Sequence, residues 1–308
     1  MIRRGIALMC SGVLCMVGLD VSARMLLADY GLWQLVFLRC AFSALFILAF
    51  ALRTGGPDAI RMQRPRWHLL RSLLMVGSMT AFFYALPRIP LADLLTLAFV
   101  APLVVTALSR PLLGEAVGPW RWAAVLAGFA GVLILLRPGT AVFQPAGFLA
   151  LGGAGLYALL SLTARKLSGS ESTTALSLYL FPAPMCVGLA GSVWQWQMPD
   201  LAGWSLFAAC GLFGGLAFVL INAGFRHAPA AVLVPFEYTG LIWAAAAGYV
   251  FWGEIPSPNT WLGAAVIIAS GLFILYRETV VQRAQPQADF PLQEAVAASE
   301  AGEQPGSR

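Results

Sequence analysis

Ten apolar runs of bilayer-spanning length dominate the chain, and they leave it few ways to fold. They cover about residues 5–27, 33–52, 69–87, 91–111 and 120–136, then 147–165, 173–193, 203–225, 229–251 and 260–276. In hydrocarbon no water satisfies an open backbone N–H or carbonyl, so segments of roughly 20 apolar residues cross as α-helices. Charged residues make up only 11% of the chain, against about a quarter in soluble domains. The expected fold is therefore an all-α integral membrane protein with ten transmembrane helices. Short links holding Pro, Gly, Asp and Arg join the runs.

The same residues exclude several classes of function. Cys10, Cys15, Cys40, Cys186 and Cys210 lie in apolar runs without a CxxC, and read as small core residues. His68 and His227 are the only histidines and lie far apart, which argues against a His-based metal site. Lys166, the only lysine, is followed by Leu167, so no phosphate loop of a pump ATPase exists. The net charge of +5 comes from arginines at helix ends and implies no nucleic-acid partner. Gly152-Gly153-Ala154-Gly155 lies inside an apolar run and reads as a helix-packing surface, not a dinucleotide loop.

Orientation follows from the basic residues, which favour cytoplasmic loops. With the N-terminus inside, loops on that side carry the basic residues from Arg3 and Arg4 through Arg61, Arg64, Arg66 and Arg71 to Arg277. The opposite loops hold only Arg88 and Arg137. Both termini are expected in the cytoplasm of a bacterium, with the chain multi-pass in the inner membrane. Met1 to Ala23 has the outline of a signal peptide, but Asp20 and Arg24 argue for a retained first helix. A polar tail, 278–308, is expected to be disordered.

The two halves repeat one another. Tyr84-Ala-Leu-Pro-Arg88 parallels Asn222-Ala-Gly-Phe-Arg226, and Gly114-Glu115 parallels Gly253-Glu254, with a Trp following at 122 and 261. Five helices per half is an odd number, so the second half inserts upside down relative to the first. The expected units are 1–138 and 139–277, two inverted five-helix repeats. Carriers that work by alternating access have this architecture, with a site at the repeat interface near the bilayer midplane.

The ninth run holds one charge, Glu237, in its interior. A carboxylate at membrane depth is costly and marks a functional site by default. Pro235 frees a backbone carbonyl nearby, and Gly240, Ala244 and Gly248 line one flank, where a helix or a ligand fits closely. The competing reading is a packing face with a buried, hydrogen-bonded Glu.

The ten-helix pattern, the twin Gly-Glu and Pro235-Phe236-Glu237-Tyr238-Thr239 resemble the drug/metabolite transporter superfamily, in its EamA-type branch. The resemblance implies a secondary transporter with a cavity lined mainly by helices one, three, four, six, eight and nine. Similar proteins move amino acids, riboflavin, S-adenosylmethionine or opine-type metallophores. Phe99 stands where the second half has Glu237, so the implied site is asymmetric.

Candidate site residues are Glu237, Arg24, Asp20, Arg39, Tyr84, Asn222, Tyr157 and Tyr238. Asp20 and Arg24, four apart, share a helix face and are expected to pair. Arg39 is open to pairing with Glu237 or Asp20, or to gripping a substrate carboxylate. Asp93 reads as a first-turn acid on a helix dipole, and Arg88 and Arg226 as interfacial anchors. Tyr84, Tyr157 and Asn222 with one acid suit a cationic or zwitterionic solute. The expected activity is export of a small amino-acid-like metabolite. The alternative is uptake of a vitamin or nucleoside-like solute such as riboflavin or S-adenosylmethionine. A membrane enzyme would need converging acids, histidines or bases that the sequence lacks. Expected partners are a small-molecule substrate, the lipid bilayer, a coupling proton and a second copy of the chain, with no cofactor or metal.

Overall fold

The computed structural model describes residues 2–284 except 55, 57–59, 115–117, 137, 140–141, 168–169 and 229. The first half comprises α1 (Ile2–Asp29), α2 (Leu32–Thr54), α3 (Pro65–Ala85), α4 (Leu91–Ala98), α5 (Ala101–Leu113) and α6 (Pro119–Leu135). The second comprises α7 (Pro145–Leu167), α8 (Thr173–Leu178), α9 (Pro182–Ser192), α10 (Leu201–Phe225), α11 (Ala230–Glu237), α12 (Thr239–Trp252) and α13 (Pro258–Ala284). Among the described residues, α4 with α5, α8 with α9 and α11 with α12 each make one crossing, which gives ten. Arg137 and Glu115, and the tail from 285 on, lie outside the described residues. The last helix runs on to Ala284, past the point where the sequence sets the start of a disordered tail.

Three crossings are broken, each beside a proline. Pro102 opens α5 and Pro182 opens α9; neither donates a backbone N–H, so the helical ladder is interrupted there. Tight turns fill the gaps: Val100 N–H donates to the Leu97 carbonyl at 3.1 Å, and Phe181 N–H to the Leu178 carbonyl at 3.3 Å. In the ninth crossing Pro235 lies inside α11 and the helix lapses at Tyr238, with Leu241 N–H donating back to the Tyr238 carbonyl at 3.1 Å. Phe99 and Glu237 are repeat counterparts, so the fourth and ninth crossings break at matching points. The second crossing, α2, is continuous where its counterpart, the seventh, is broken.

Packing obeys the inverted repeat. Five of the packed pairs show it: α1 with α10, α3 with α7, α2 with α9, α6 with α13, and α4 with α12. Counted as crossings these are 1–8, 3–6, 2–7, 5–10 and 4–9. Exchanging the halves turns 1–8 into 6–3 and leaves the other three pairs unchanged, as a pseudo-two-fold axis in the membrane plane requires. Close approach at these crossings depends on small residues. At Gly188 of α9 a Cβ would stand 2.8 Å from the Phe37 nitrogen and 2.9 Å from the Trp33 carbonyl, both on α2. Gly153 likewise fits against Ala81 and the Ser78 carbonyl of α3, while Gly152 and Gly155 touch nothing within 4 Å. The glycine-rich stretch of α7 is thus a packing surface at one of its three glycines.

The broken helices shape the centre. Half-helices α4 and α12 pack on each other toward the end of the molecule that carries Asp29, here the far face. Their continuations part: α5 lies on α7, and α11 on α1. At the near face, where residue 2 lies, α5 and α11 therefore rest on different neighbours, beyond the crossing point of the broken helices.

Candidate carrier site

The far face is closed by a polar clasp built on the second Gly-Glu. Gly253 caps α12 in the left-handed conformation, φ 66°, and Gly114 caps α5 in the same way, φ 73°. A side chain bearing a Cβ is strained at such a cap, so glycine stands there in both repeats. The turn throws Glu254 back over the end of α12. Its Oε1 meets Arg24 Nη2 at 2.5 Å, and its Oε2 accepts the Leu91 N–H at 3.0 Å. That N–H is one of the open donors at the start of α4, where a carboxylate is favoured. The Arg24 guanidinium also stacks over the Trp252 ring, 4.3 Å from its centroid. Beside the clasp, Thr260 Oγ1 donates to Asp93 Oδ1 at 2.5 Å, tying α13 to α4.

Two sequence expectations change here. Arg24 pairs with Glu254, not with Asp20, because its side chain reaches toward α12 at the end of the bundle. Asp93 does lie in the first turn of α4, but it is buried and held by Thr260, so it fastens two crossings as well as meeting a helix dipole.

Asp20 instead lies within electrostatic reach of Arg39, with both side chains buried. Arg39 contacts the Met79 sulfur through Nη1 at 2.6 Å and lies 5.2 Å from the Phe83 ring centroid. These contacts join α1, α2 and α3 in the interior. Among the described residues no contact joins Arg39 to Glu237, and the buried Arg39 Nε has no hydrogen-bond partner.

Glu237 ends α11 at the break of the ninth crossing. Among the described residues its carboxylate has no hydrogen bond and no ion pair, and it is only half-buried. Tyr157 of α7 and Tyr238 lie within its electrostatic reach. The Tyr157 side chain is 52% exposed. Tyr238 packs edge-on against Phe99, with centroids 5.0 Å apart and planes at 78°. The site therefore has one acid, two tyrosines and the phenylalanine that replaces the acid in the first repeat. The small flank beyond Glu237 is occupied by protein: Gly240 meets Val13, Leu95 and Phe99, and Gly248 meets Glu254.

Tyr84 and Asn222 do not join this group. They occupy matching positions in inverted repeats and so sit toward opposite faces. Tyr84 lies under the Arg88 guanidinium, 3.8 Å from its ring centroid, with Arg88 Nη1 donating to the Tyr84 carbonyl. Asn222 Nδ2 donates to the Phe218 carbonyl of its own helix at 2.8 Å.

Two near-face features escape a reading of the sequence. Arg71, counted there as a loop charge, is buried in α3, since that helix already begins at Pro65. Its guanidinium donates to the Leu160 carbonyl at 3.1 Å, to Thr163 Oγ1 at 3.3 Å and to the Leu176 carbonyl at 3.1 Å, which binds α3 to α7 and α8. Glu171, in the turn between α7 and α8, accepts the N–H groups of Arg64 at 2.7 Å and Gln63 at 3.0 Å. The buried His68 Nε2 lies 3.3 Å from its other oxygen. Burial alone raises a carboxyl pKa, but here the Arg64 N–H, the His68 ring and the Gln63 N–H outweigh it and hold Glu171 below the usual 4.5. At the far face Gln34 does the equivalent work without a charge, exchanging hydrogen bonds of 2.7 and 3.1 Å with the Gln197 backbone.

A bundle of inverted repeats whose broken helices cross beside an unpaired acid has the architecture of a membrane carrier. The EamA-like transporter family matches residues 3–137 and 144–276, and the chain belongs to that family. It is 33% identical to a riboflavin transporter of Vibrio cholerae, over 79% of this chain and 82% of that one. It is 29% identical to an S-adenosylmethionine uptake transporter of Rickettsia bellii, over 84% of this chain and 89% of that one. A pseudopaline exporter of Pseudomonas aeruginosa is 27% identical, over 77% and 84%. The chain is a multi-pass membrane transporter of the drug/metabolite type and not an enzyme.

The clasp and the near-face staple each give a measurable expectation. In a double-mutant cycle in detergent, Arg24→Ala and Glu254→Ala should couple by about 1 kcal/mol or more, while Asp20→Ala and Arg24→Ala should add within about 0.5 kcal/mol. Additive effects at Arg24 and Glu254 would remove the clasp. A carboxyl held below its usual pKa stabilises fully above that value and progressively less as pH falls through its folded value. The melting temperature should therefore fall below pH 4.5 in the wild type, and Glu171→Gln should start lower at neutral pH and fall less.

Proposed function

We propose that the chain is a secondary transporter for a small nitrogenous metabolite, bound through a cationic or ring-bearing group at Glu237. The unpaired Glu237 carboxylate beside Tyr157, Tyr238 and Phe99 carries this reading. A charge at membrane depth needs a partner. Arg24, Arg39 and Arg71 are engaged elsewhere, so the partner is a cationic substrate group or a proton. Faces of Tyr and Phe rings attract cations and stack on planar rings, so they add to either form of recognition. Riboflavin carries a ring system and S-adenosylmethionine a cation with a ring, and the relatives named for them support a solute of that kind.

The two repeats, 1–138 and 139–277, act as the moving units, and the space between the parted halves α5 and α11 is the substrate cleft, open to the near face. Both termini are cytoplasmic, so this is the inward-open state. Relatives named for S-adenosylmethionine uptake support inward transport. Export of an amino-acid-like solute is the second reading, and the pseudopaline exporter supports it. In either direction, proton exchange at Glu237 couples the cycle.

Two measurements follow. Reporter fusions after Gln144 and Asp200 should both read as periplasmic; a cytoplasmic reading at both reverses the orientation. Proteoliposomes should be tested for uptake and for efflux of riboflavin, S-adenosylmethionine and histidine, with and without a pH gradient. Glu237→Gln should purify with wild-type thermal stability and lose at least about tenfold of the flux, the scale of one charge-assisted contact. Counterflow that survives while gradient-driven accumulation disappears assigns Glu237 to protons, and loss of both assigns it to substrate. Wild-type flux and pH dependence in the Gln variant contradict the reading.

A further inference from the structure

Tyr238 stands at the junction of three crossings. It is the single residue between α11 and α12, with φ −68° and ψ −14°. Its ring abuts Phe99 at the break between α4 and α5, so one aromatic contact joins both discontinuous helices. Its far end enters α13. A Cβ built on Gly271 would lie 2.2 Å from the Tyr238 hydroxyl oxygen, but 3.4 Å from Cζ, an ordinary contact. Gly271 is therefore a notch that admits one atom, the phenolic oxygen. Tyr238 is only 9% exposed, and no hydrogen bond to a described residue holds that hydroxyl. Steric fit at Gly271 and the Phe99 contact hold the ring in place. Gly131, which ends the first half as Gly271 ends the second, meets the Gly263 carbonyl and Ile267 and holds no aromatic ring. The notch is a property of the second repeat alone, the one that carries Glu237.

We propose that Gly271 is a positioning residue for transport: it parks Tyr238 against Phe99 as the roof of the Glu237 cleft and keeps the volume beside the acid free for substrate. This rests on the reading of Glu237 as the carrier site. A side chain at position 271 cannot share the notch with the hydroxyl. The tyrosine ring is a flexible side chain and α13 is a packed helix, so the ring yields. Moved away from α13, the ring enters the surroundings of Glu237, the acid within electrostatic reach of both Tyr238 and Tyr157.

The test is a pair of substitutions with a substrate-free readout. In Tyr157→Cys protein, alkylation at position 157 by N-ethylmaleimide is followed by peptide mass spectrometry, which separates it from the native cysteines. Gly271→Ala should slow this labelling several-fold, because the displaced ring covers the cleft. Adding Tyr238→Phe removes the clashing oxygen and should restore the rate. With Tyr157 in place, flux of whichever of riboflavin, S-adenosylmethionine or histidine the wild type carries should show an apparent KM raised about tenfold by Gly271→Ala, the scale of an added methyl group in a pocket. Maximal flux should change less. Unchanged labelling in Gly271→Ala overturns the proposal. So does failure of Tyr238→Phe to rescue labelling, or failure to rescue folding if Gly271→Ala proves unstable. Normal flux in Glu237→Gln with the labelling pattern intact would instead overturn the carrier-site reading and leave the notch standing.

Discussion

Charge and open backbone are both expensive in hydrocarbon, and this structure is arranged around where it tolerates them. Arg24 and Glu254 neutralise each other at the far face, and Glu254 also accepts an open N–H at the start of α4. Arg71 donates to two carbonyls and a threonine hydroxyl, and Asp93 accepts from Thr260. Asp20 lies within electrostatic reach of Arg39 in the interior. Glu237 has two tyrosines within electrostatic reach and no hydrogen bond to a described residue. An acid at membrane depth without a protein partner is where a solute or proton has reason to bind.

The two repeats share a skeleton and divide the work. Both break their fourth helix at the matching point and both cap it with a left-handed glycine. Only the second places an acid at the break, and only the second parks an aromatic ring against the neighbouring crossing. The first supplies Phe99 instead, which becomes the surface that the ring closes on. Symmetry of the backbone provides two equivalent hinges, and asymmetry of a few side chains makes one of them the binding end. The staples differ similarly, with Gln34 neutral at the far face and Glu171 titratable at the near face.

Much of this was legible in the sequence, because hydropathy and repeats act over long stretches. The ten crossings, the inverted halves and the depth of Glu237 follow from residue type and spacing. Partners did not follow. Helical periodicity puts Asp20 beside Arg24, yet the partner of Arg24 lies 230 residues away, on a turn whose direction the Gly253 cap decides. Arg71 looks like a loop charge because hydropathy rises only at residue 69, whereas Pro65 starts the helix earlier and carries it inside. Tyr84 and Asn222 match in the repeat, and inversion is what separates them. The break at Phe99 carries no charge to mark it; Pro102 and the repeat were its only signals.

The central claim is that the Glu237 carboxyl, unpaired in this state, is the group that meets solute. Infrared difference spectroscopy of the purified transporter, before and after addition of riboflavin, S-adenosylmethionine or histidine, reads that carboxyl directly. The account predicts that the solute the protein carries produces a carboxyl difference band that is missing in Glu237→Gln and keeps its shape in Glu254→Gln. A solute that is transported by the wild type yet leaves the Glu237 carboxyl unchanged would contradict it.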